Sequence, residues 1–347
     1  MPRHVVTKIA AASTLLRAVV PDDDEALLWA PAPVDPARLP DVAFGPRWQL
    51  ADALPSAAER AVVWGATDRA PPVDRHDDVE ATADLPWRQL LLELPPPVVE
   101  IARKASDRRF AHDLAARLGV ALPGATTIRT VEELSRHLAD GGADAGASGA
   151  WVVKAPVTAA GRDRVRRRGD VLDAATVQRV RRLLERHGAL VFEPWLERVL
   201  DIGQPGLVTG AAQWRLLPPH RLHSESGGGF AGITIAPSDT WLAAEHRRRL
   251  QEVAGAVARE LGELGYRGPF TVDAFLHRDR RGAVELHPLA EINPRLTFGL
   301  VARAWAERAG APLTLRVAEA SPPPEAMALV RPTADDPTAA WLELGSA

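Results

Sequence analysis

The sequence predicts a mixed α/β protein: a small layered domain with a parallel sheet, then two lobes in which helices lie on antiparallel strands. Three observations support this. In residues 1–98, helix-like and strand-like segments alternate between proline-rich connectors (APAPVDPARLP, RAPPVD, LPPP), the order expected of a parallel layer. Leu250, Val253, Val257, Leu261 and Leu264 recur at helical spacing and draw one apolar stripe along a long helix. FTVDAF and AVELHPLAEIN are strand-like, and the DRRG between them is turn-like, which is a hairpin.

The elements follow in order. In the unit at 1–98, Val5 to Val19 is expected as helix and ALLWAP and RAVVWGA as strands, while WRQLLLEL fits either strand or helix. Pro95 to Pro97 closes the unit. The unit at 99–190 opens with helices, one capped by Asp107 and ended by Gly119. Thr130 and Glu133 form a capping box for VEELSRHLAD. WVVKAP is a short buried strand, TAAGRDRVRRRGD a basic loop, and Asp173 to Gly188 brackets a helix. The unit at 191–320 is the larger lobe, with strands through VFEPWL, RVLDIGQPGLV and QWRLLPPHRLHSESGGGFAGITIAP, the striped helix, the hairpin, and a helix from about Leu300 to Ala309. The tail, 321–347, is proline-rich with one short strand, MALVRP.

Composition excludes several classes. Hydrophobic residues at 46% and charged residues at 25% are those of a globular chain, and a net charge of −3 gives no reason to expect nucleic acid as a partner. With no cysteine there is no disulfide, thiolate metal site or cysteine nucleophile. The apolar run near the N-terminus is broken by Arg17 and followed by PDDDE, so it reads as a helix of the first domain and not as a signal peptide. No run approaches ~18 apolar residues, so no membrane association is expected, and a cytoplasmic location fits. Of 42 basic residues only Lys8, Lys104 and Lys154 are lysine. A chain that uses arginine for its generic cations keeps lysine where a compact ammonium is wanted.

The hairpin holds the strongest candidate site. Antiparallel pairing centred on Gly282 sets Asp273 opposite Glu291, and Asn293, two residues on, shares their face. Val272, Ala274, Ala290 and Ile292 make the apolar opposite face, and Pro288 predicts a bulge or an edge in the second strand. Two carboxylates and an amide oxygen suit a hard cation such as Mg²⁺ against a polyphosphate, with Arg295 beside them as a permanent charge. Other motifs fail. GGGFAG at Gly227 to Gly232 precedes a strand instead of a helix, so it is a bend or lid and not a dinucleotide fingerprint. His220 and His223 lack a third zinc-type ligand nearby.

Lys104 ahead of LAARLGVALPGA, Lys154 ending a hydrophobic strand, the small-residue loop TAAGR, VFEPWLE, VDAF and AEINPR stand in an order that resembles the ATP-grasp superfamily over roughly residues 99–310. The resemblance implies a two-lobed α+β grasp fold, preceded by a small Rossmann-like α/β domain. It implies that Lys104 and Lys154 contact ATP phosphates and that Glu193 begins a hinge segment reading the adenine edge, with Trp195 and Leu196 lining it. Glu197 or Asp201 would take the ribose hydroxyls or support the metal side. Asp273, Glu291 and Asn293 would bind Mg²⁺, for which Mn²⁺ can substitute, and Arg295 would steady the transferred phosphoryl group. The loop after Lys154 holds only Gly161 where the family is often richer in glycine, so Arg162 or Arg164 is expected to contact phosphate instead.

The activity so implied is an ADP-forming ligase that joins a small-molecule carboxylate to an amine, amino-acid or peptide-like substrates included, through an acyl-phosphate. Arg221 and His223, beside the glycine bend, are candidates to meet the carboxylate substrate. A homodimer is compatible with the sequence. Alternatives from other classes are a regulatory nucleotide-binding module and a grasp-fold kinase or carboxylase.

Overall fold

A computed structural model of the chain describes residues 9–20, 25–53, 62–64, 85–146, 149–157, 163–224 and 229–345. Residues 9–13 are helical and tighten into a 3₁₀ turn over Thr14–Val19. Strands β1 (Glu25–Leu28) and β2 (Arg47–Leu50) pair in parallel. WRQLLLEL resolves as helix, α1 (Trp87–Glu93), because Trp87, Leu90, Leu91 and Leu94 then enter one core. RAVVWGA lies largely outside the described residues.

Two short helices follow, α2 (Val99–Ala105) and α3 (Arg108–Arg117), the second capped by the Asp107 carboxylate accepting from the Arg109 N–H. Next come β3 (Thr126–Ile128), α4 (Val131–Ala139), β4 (Ala150–Lys154), β5 (Arg164–Arg168), α5 (Ala174–His187) and β6 (Leu190–Pro194). The four strands make an antiparallel sheet in the order β3-β6-β4-β5. Alternation sends Trp151, Val153, Val165, Leu190 and Phe192 to one face, where Leu134, Leu138, Val180 and Leu183 of the two helices cover them. The other face, bearing Val152, Lys154, Arg164, Arg166 and Glu193, is left toward the larger lobe.

That lobe is built on β7 (Glu197–Gly210), β8 (Gln213–Leu216), β9 (His220–Ser224), β10 (Phe230–Ile235), α6 (Ala244–Glu263), β11 (Gly268–Arg278), β12 (Val284–Asn293), α7 (Phe298–Ala309), β13 (Leu313–Ala318), β14 (Met327–Val330) and β15 (Ala339–Leu344). The sheet runs β12-β11-β7-β9-β10-β13-β15-β14, with β8 added to β7. The striped helix α6 buries Leu250, Val253, Val257 and Leu261 at the sheet. On the opposite face α7 presses Gly299 against the buried His220 ring, which also lies on Gly203; neither glycine has room for a Cβ.

Three placements depart from the expected organisation. Ala102, Ala105, Ala111 and Leu114 of α2 and α3 pack with Val257, Phe270, Val272 and Ile292 under the large sheet, away from the four-stranded one. Strand β6, whose residues 191–194 were expected to open the larger lobe, lies inside the small sheet. The tail supplies two strands instead of one, and Leu329 and Leu342 enter the core that also holds Leu15, Leu39 and Trp305. The N-terminal segment is tied to that tail by Arg38, which bonds Asp336 at 2.9 Å and the carbonyls of Arg331 and Thr338. The tail's partners, Arg38 for one, lie some 300 residues away in sequence, so its placement leaves little local pattern.

Candidate functional site

The hairpin pairs Asp273 with Glu291 and Thr271 with Asn293. Strand β12 is the edge of the sheet, and the ladder is irregular between Asp273 and Phe275, opposite the stretch that contains Pro288. The polar side chains are linked. Asn293 Nδ2 donates to Asp273 Oδ2 at 3.0 Å, and Arg295 Nη2 donates to Asn293 Oδ1 at 3.0 Å. Arg108, at the first turn of α3, reaches across to Glu291 Oε1 at 3.0 Å and donates to the Ala155 carbonyl at 2.8 Å. One arginine thus fixes a carboxylate of the large sheet to the end of β4 in the small one.

Charge at this end is unbalanced. Burial, then the facing Glu291 and the more distant Asp201, push the Asp273 carboxyl up to about 7, against the pull of Arg295 and Asn293. A cation between the two carboxylates would remove that penalty. No three His, Asp or Glu side chains converge among the described residues. Asp273 and Glu291 face each other in register, while Asn293 turns its amino group to Asp273 and its oxygen to Arg295, so it is the two carboxylates that suit Mg²⁺, an ion that keeps waters and takes phosphate oxygens as further ligands.

The hinge end is differently made. Lys154 Nζ and Glu193 Oε2 are 2.5 Å apart, both side chains 16% exposed. Burial works to raise the Glu193 carboxyl, but Lys154, helped by His287 and Arg198, holds it below its ordinary value. His287, register partner of Phe275, is itself pushed down to about 4, chiefly by burial, and is neutral at pH 7. The Trp195 backbone N–H donates to the Ala150 carbonyl at 2.8 Å, and its ring lies under the Arg166 guanidinium at 4.0 Å. Leu196 is buried. A cavity of about 590 Å³ opens on the hinge flank, lined by Leu196, His277, His287 and the 119–123 connector; Asp273 and Glu291 do not line it.

The structure therefore brings together Asp273, Glu291, Asn293 and Arg295 at one end, and Lys154, Glu193, Trp195 and Leu196 at the other. Of the two ribose candidates, Asp201 lies on the Asp273 face, beside Phe275 in register, whereas Glu197 is exposed and 3.8 Å from Arg278. Lys104 stays exposed on α2, and Arg108, one turn later, occupies the place at Glu291. Gly161 and Arg162 lie outside the described residues, as do Gly227 and Gly228 of the glycine bend, whose Phe230 to Gly232 begin β10. Arg221 and His223 are a correction. Arg221 stacks on Trp241 at 5.1 Å, beside the cluster of Ile202, Leu242 and Ala274 under α6, and His223 bonds Thr234. Strand alternation puts both on the face opposite Asp273, away from any substrate there. Sequence reasoning also passed over Arg108 and Phe275. Phe275 had a signal, since it lies two residues from Asp273 and so shares its face.

No protein-family model matches the sequence, and no curated protein matches it. Solved structures do. The biotin carboxylase domain of the Hydrogenobacter thermophilus 2-oxoglutarate carboxylase, a complex with MgADP, ADP and bicarbonate, is similar at a TM-score of 0.51 and 15% identity, over 72% of this chain and 64% of that one. Campylobacter jejuni biotin carboxylase with a β,γ-ATP ligand gives a TM-score of 0.52 at 12% identity over the same shares. This chain thus spans a little under two thirds of either structure. At these identities the likeness is one of fold.

Proposed function

On the ATP-grasp fold that this chain has, we propose that the protein is an ATP- and Mg²⁺-dependent ligase that joins a carboxylate to an amine through an acyl-phosphate. The observation that supports this most directly is the register pairing of Asp273 with Glu291, which holds the recessed Asp273 carboxyl at an electrostatic cost beside Asn293 and Arg295. Glu291 also anchors Arg108, but Asp273 has no cation partner of its own among the described residues, and a metal ion at the pair would supply one. Mg²⁺ bound there would neutralise phosphate charge, the principal demand of phosphoryl transfer. Arg295, exposed at the same end, supplies a donor fork for phosphate oxygens that bear the transferring charge. Lys154 meets phosphate as a point charge from the facing sheet, and Glu193, which holds it, keeps it positioned. Asp201 takes the ribose hydroxyls.

In the reaction so proposed, a carboxylate oxygen attacks the γ-phosphorus and ADP leaves. The amine nitrogen then attacks the acyl carbon, phosphate leaves with the carbon–oxygen electron pair, and the proton lost by the nitrogen goes to the departing phosphate. No nucleophilic side chain is needed. Bicarbonate, present in one of the similar structures, is a small acid that fits this scheme.

The test is ADP release with Mg·ATP across a panel of amino acids, short peptides, amines and bicarbonate. A pair that raises turnover above background, with that rise lost in Asp273→Asn, supports the reading. ATP binding with no stimulation by any pair turns the assignment to a regulatory nucleotide-binding module.

A further inference from the structure

Resting on the nucleotide reading above, we propose that Arg198 is a built-in competitor for the nucleobase: it covers the base platform, Phe275, and engages the hydroxyl acceptor, Asp201, until nucleotide displaces it. The argument starts from the face of the large sheet. Asp273 and Phe275 are separated by one i, i+2 step on β11, about 7 Å. Phe275 lies on the hinge side of that step, because β11 continues to His277 and Arg278, which pair with Arg198 and Glu197 at the start of β7. A ligand with its charged end on Asp273 and Glu291 therefore extends its flat end over Phe275.

Arg198 occupies that space. Its guanidinium lies 4.1 Å from the centre of the Phe275 ring and 5.6 Å from that of Trp195. The same group donates to Asp201 Oδ1 at 3.0 Å, and Asp201 Oδ2 accepts from the Ser224 hydroxyl at 3.2 Å. With Arg166 at 4.0 Å over the same tryptophan, the arrangement is a stack running Arg166, Trp195, Arg198, Phe275 from the small sheet across the hinge to the large one. A planar cation on an aromatic face mimics a stacked base in shape, and a base cannot stack on Phe275 while the guanidinium lies there.

The contacts of Arg198 are of a kind that can be exchanged. Its side chain is 35% exposed and Asp201 20%, so the pair is open to water and is not the sort that locks a core. The pairing of β7 with β11 is made by backbone and does not depend on it. On binding, the base replaces the guanidinium on Phe275, the ribose hydroxyls replace it on Asp201, and Arg198 turns outward. The side chain sets affinity for the nucleoside part and not for the phosphates.

Calorimetric titration of the full chain with Mg·ADP and, separately, with inorganic tripolyphosphate and Mg²⁺ tests this. Arg198→Ala is expected to bind Mg·ADP roughly five- to tenfold more tightly than wild type, the combined size of one exposed cation–π contact and one half-exposed ion pair. Arg198→Lys, which keeps the charge but not the plane, is expected to gain less. Tripolyphosphate should bind the alanine variant no better than wild type, since removing a cation never favours an anion. Unchanged or weaker Mg·ADP binding by Arg198→Ala, in protein whose melting is unaltered, overturns the proposal, as does an equal gain for tripolyphosphate. If neither wild type nor variant binds Mg·ADP, the nucleotide reading itself fails, and this inference with it.

Discussion

The two ends of the cleft solve the burial of charge in opposite ways. At the hinge, Lys154 sits on Glu193 and Arg198 on Asp201, so each acid has its own cation within 3.0 Å. At the hairpin, Asp273 faces Glu291 and its nearest hydrogen-bond donor is an uncharged amide, which leaves its carboxyl raised to about 7. The first end is complete without a ligand and must exchange contacts to bind one. The second end is incomplete and gains by binding a cation. On the function proposed above, such a site would couple metal to nucleotide, the incomplete end supplying the drive and the complete end the selectivity.

The contrast can be broken most severely at the incomplete end. Asp273→Asn and Glu291→Gln should each reduce stimulated ADP release on the order of 100-fold, the usual loss when one group aimed at developing charge is removed. Activity within a few-fold of wild type in either variant would remove the metal assignment. At the complete end, Lys154→Met leaves Glu193 recessed without its cation and should cost about 3 kcal/mol of stability at pH 8. Wild-type Glu193 sits below its ordinary value, so the stability it brings is present above the unfolded pKa and disappears as pH falls through the folded one. The difference between the two proteins in urea unfolding should therefore shrink in acid.

The pH dependence of Asp273 runs the other way. Its folded value, about 7, lies above the ordinary 3.8, so the native state holds the proton more tightly and loses stability as pH rises from 4 through 7. Asp273→Asn should be more stable than wild type by up to about 4 kcal/mol at pH 8 in metal-free buffer, with no gain below pH 4. The same proton competes with the cation, so wild-type affinity for Mg·ADP should fall between pH 8 and pH 6, which calorimetry at the two values measures. The smallest effect is expected at the link between the ends. Arg108→Gln loses the contact with Glu291 and should cost about 1 kcal/mol, because Glu291 is 31% exposed and can rehydrate.

Much of the hairpin was legible because a strand has a fixed period of two. Counting outward from Gly282 reaches Asp273 and Glu291 together, as the register has them, although the pairs next to the turn, Phe275–His287 to Arg278–Val284, centre on Arg281 and it is the irregularity beyond Phe275 that restores the expected pairing. Pro288 announced an irregular edge for the same local reason: it has no N–H to give to a ladder. Caps at Asp107, Thr130 and Asp173 were legible from residue type, and each accepts from the first turn of its helix. Arg221 and His223 were misplaced because their face depends on how β9 pairs with β7, a long-range register that no local pattern states. Lys104 drew attention through its rarity, while its neighbour Arg108, one among 39 arginines, gave no such signal.

By itself the sequence determined where strands turn, where helices begin, and which residues of one hairpin share a face, since these follow from backbone geometry within a few residues. It also determined the chemistry on offer: two acids, an amide and an arginine on one hairpin, and a lysine ending a buried strand. Only the tertiary structure decided which charges are neutralised. Lys154 meets Glu193 across 39 residues, and Arg108 meets Glu291 across 183. Whether a buried carboxylate is satisfied or left waiting for a cation depends on what the packed lobes bring within ~4 Å of it. That distance is set by the docking of the two sheets.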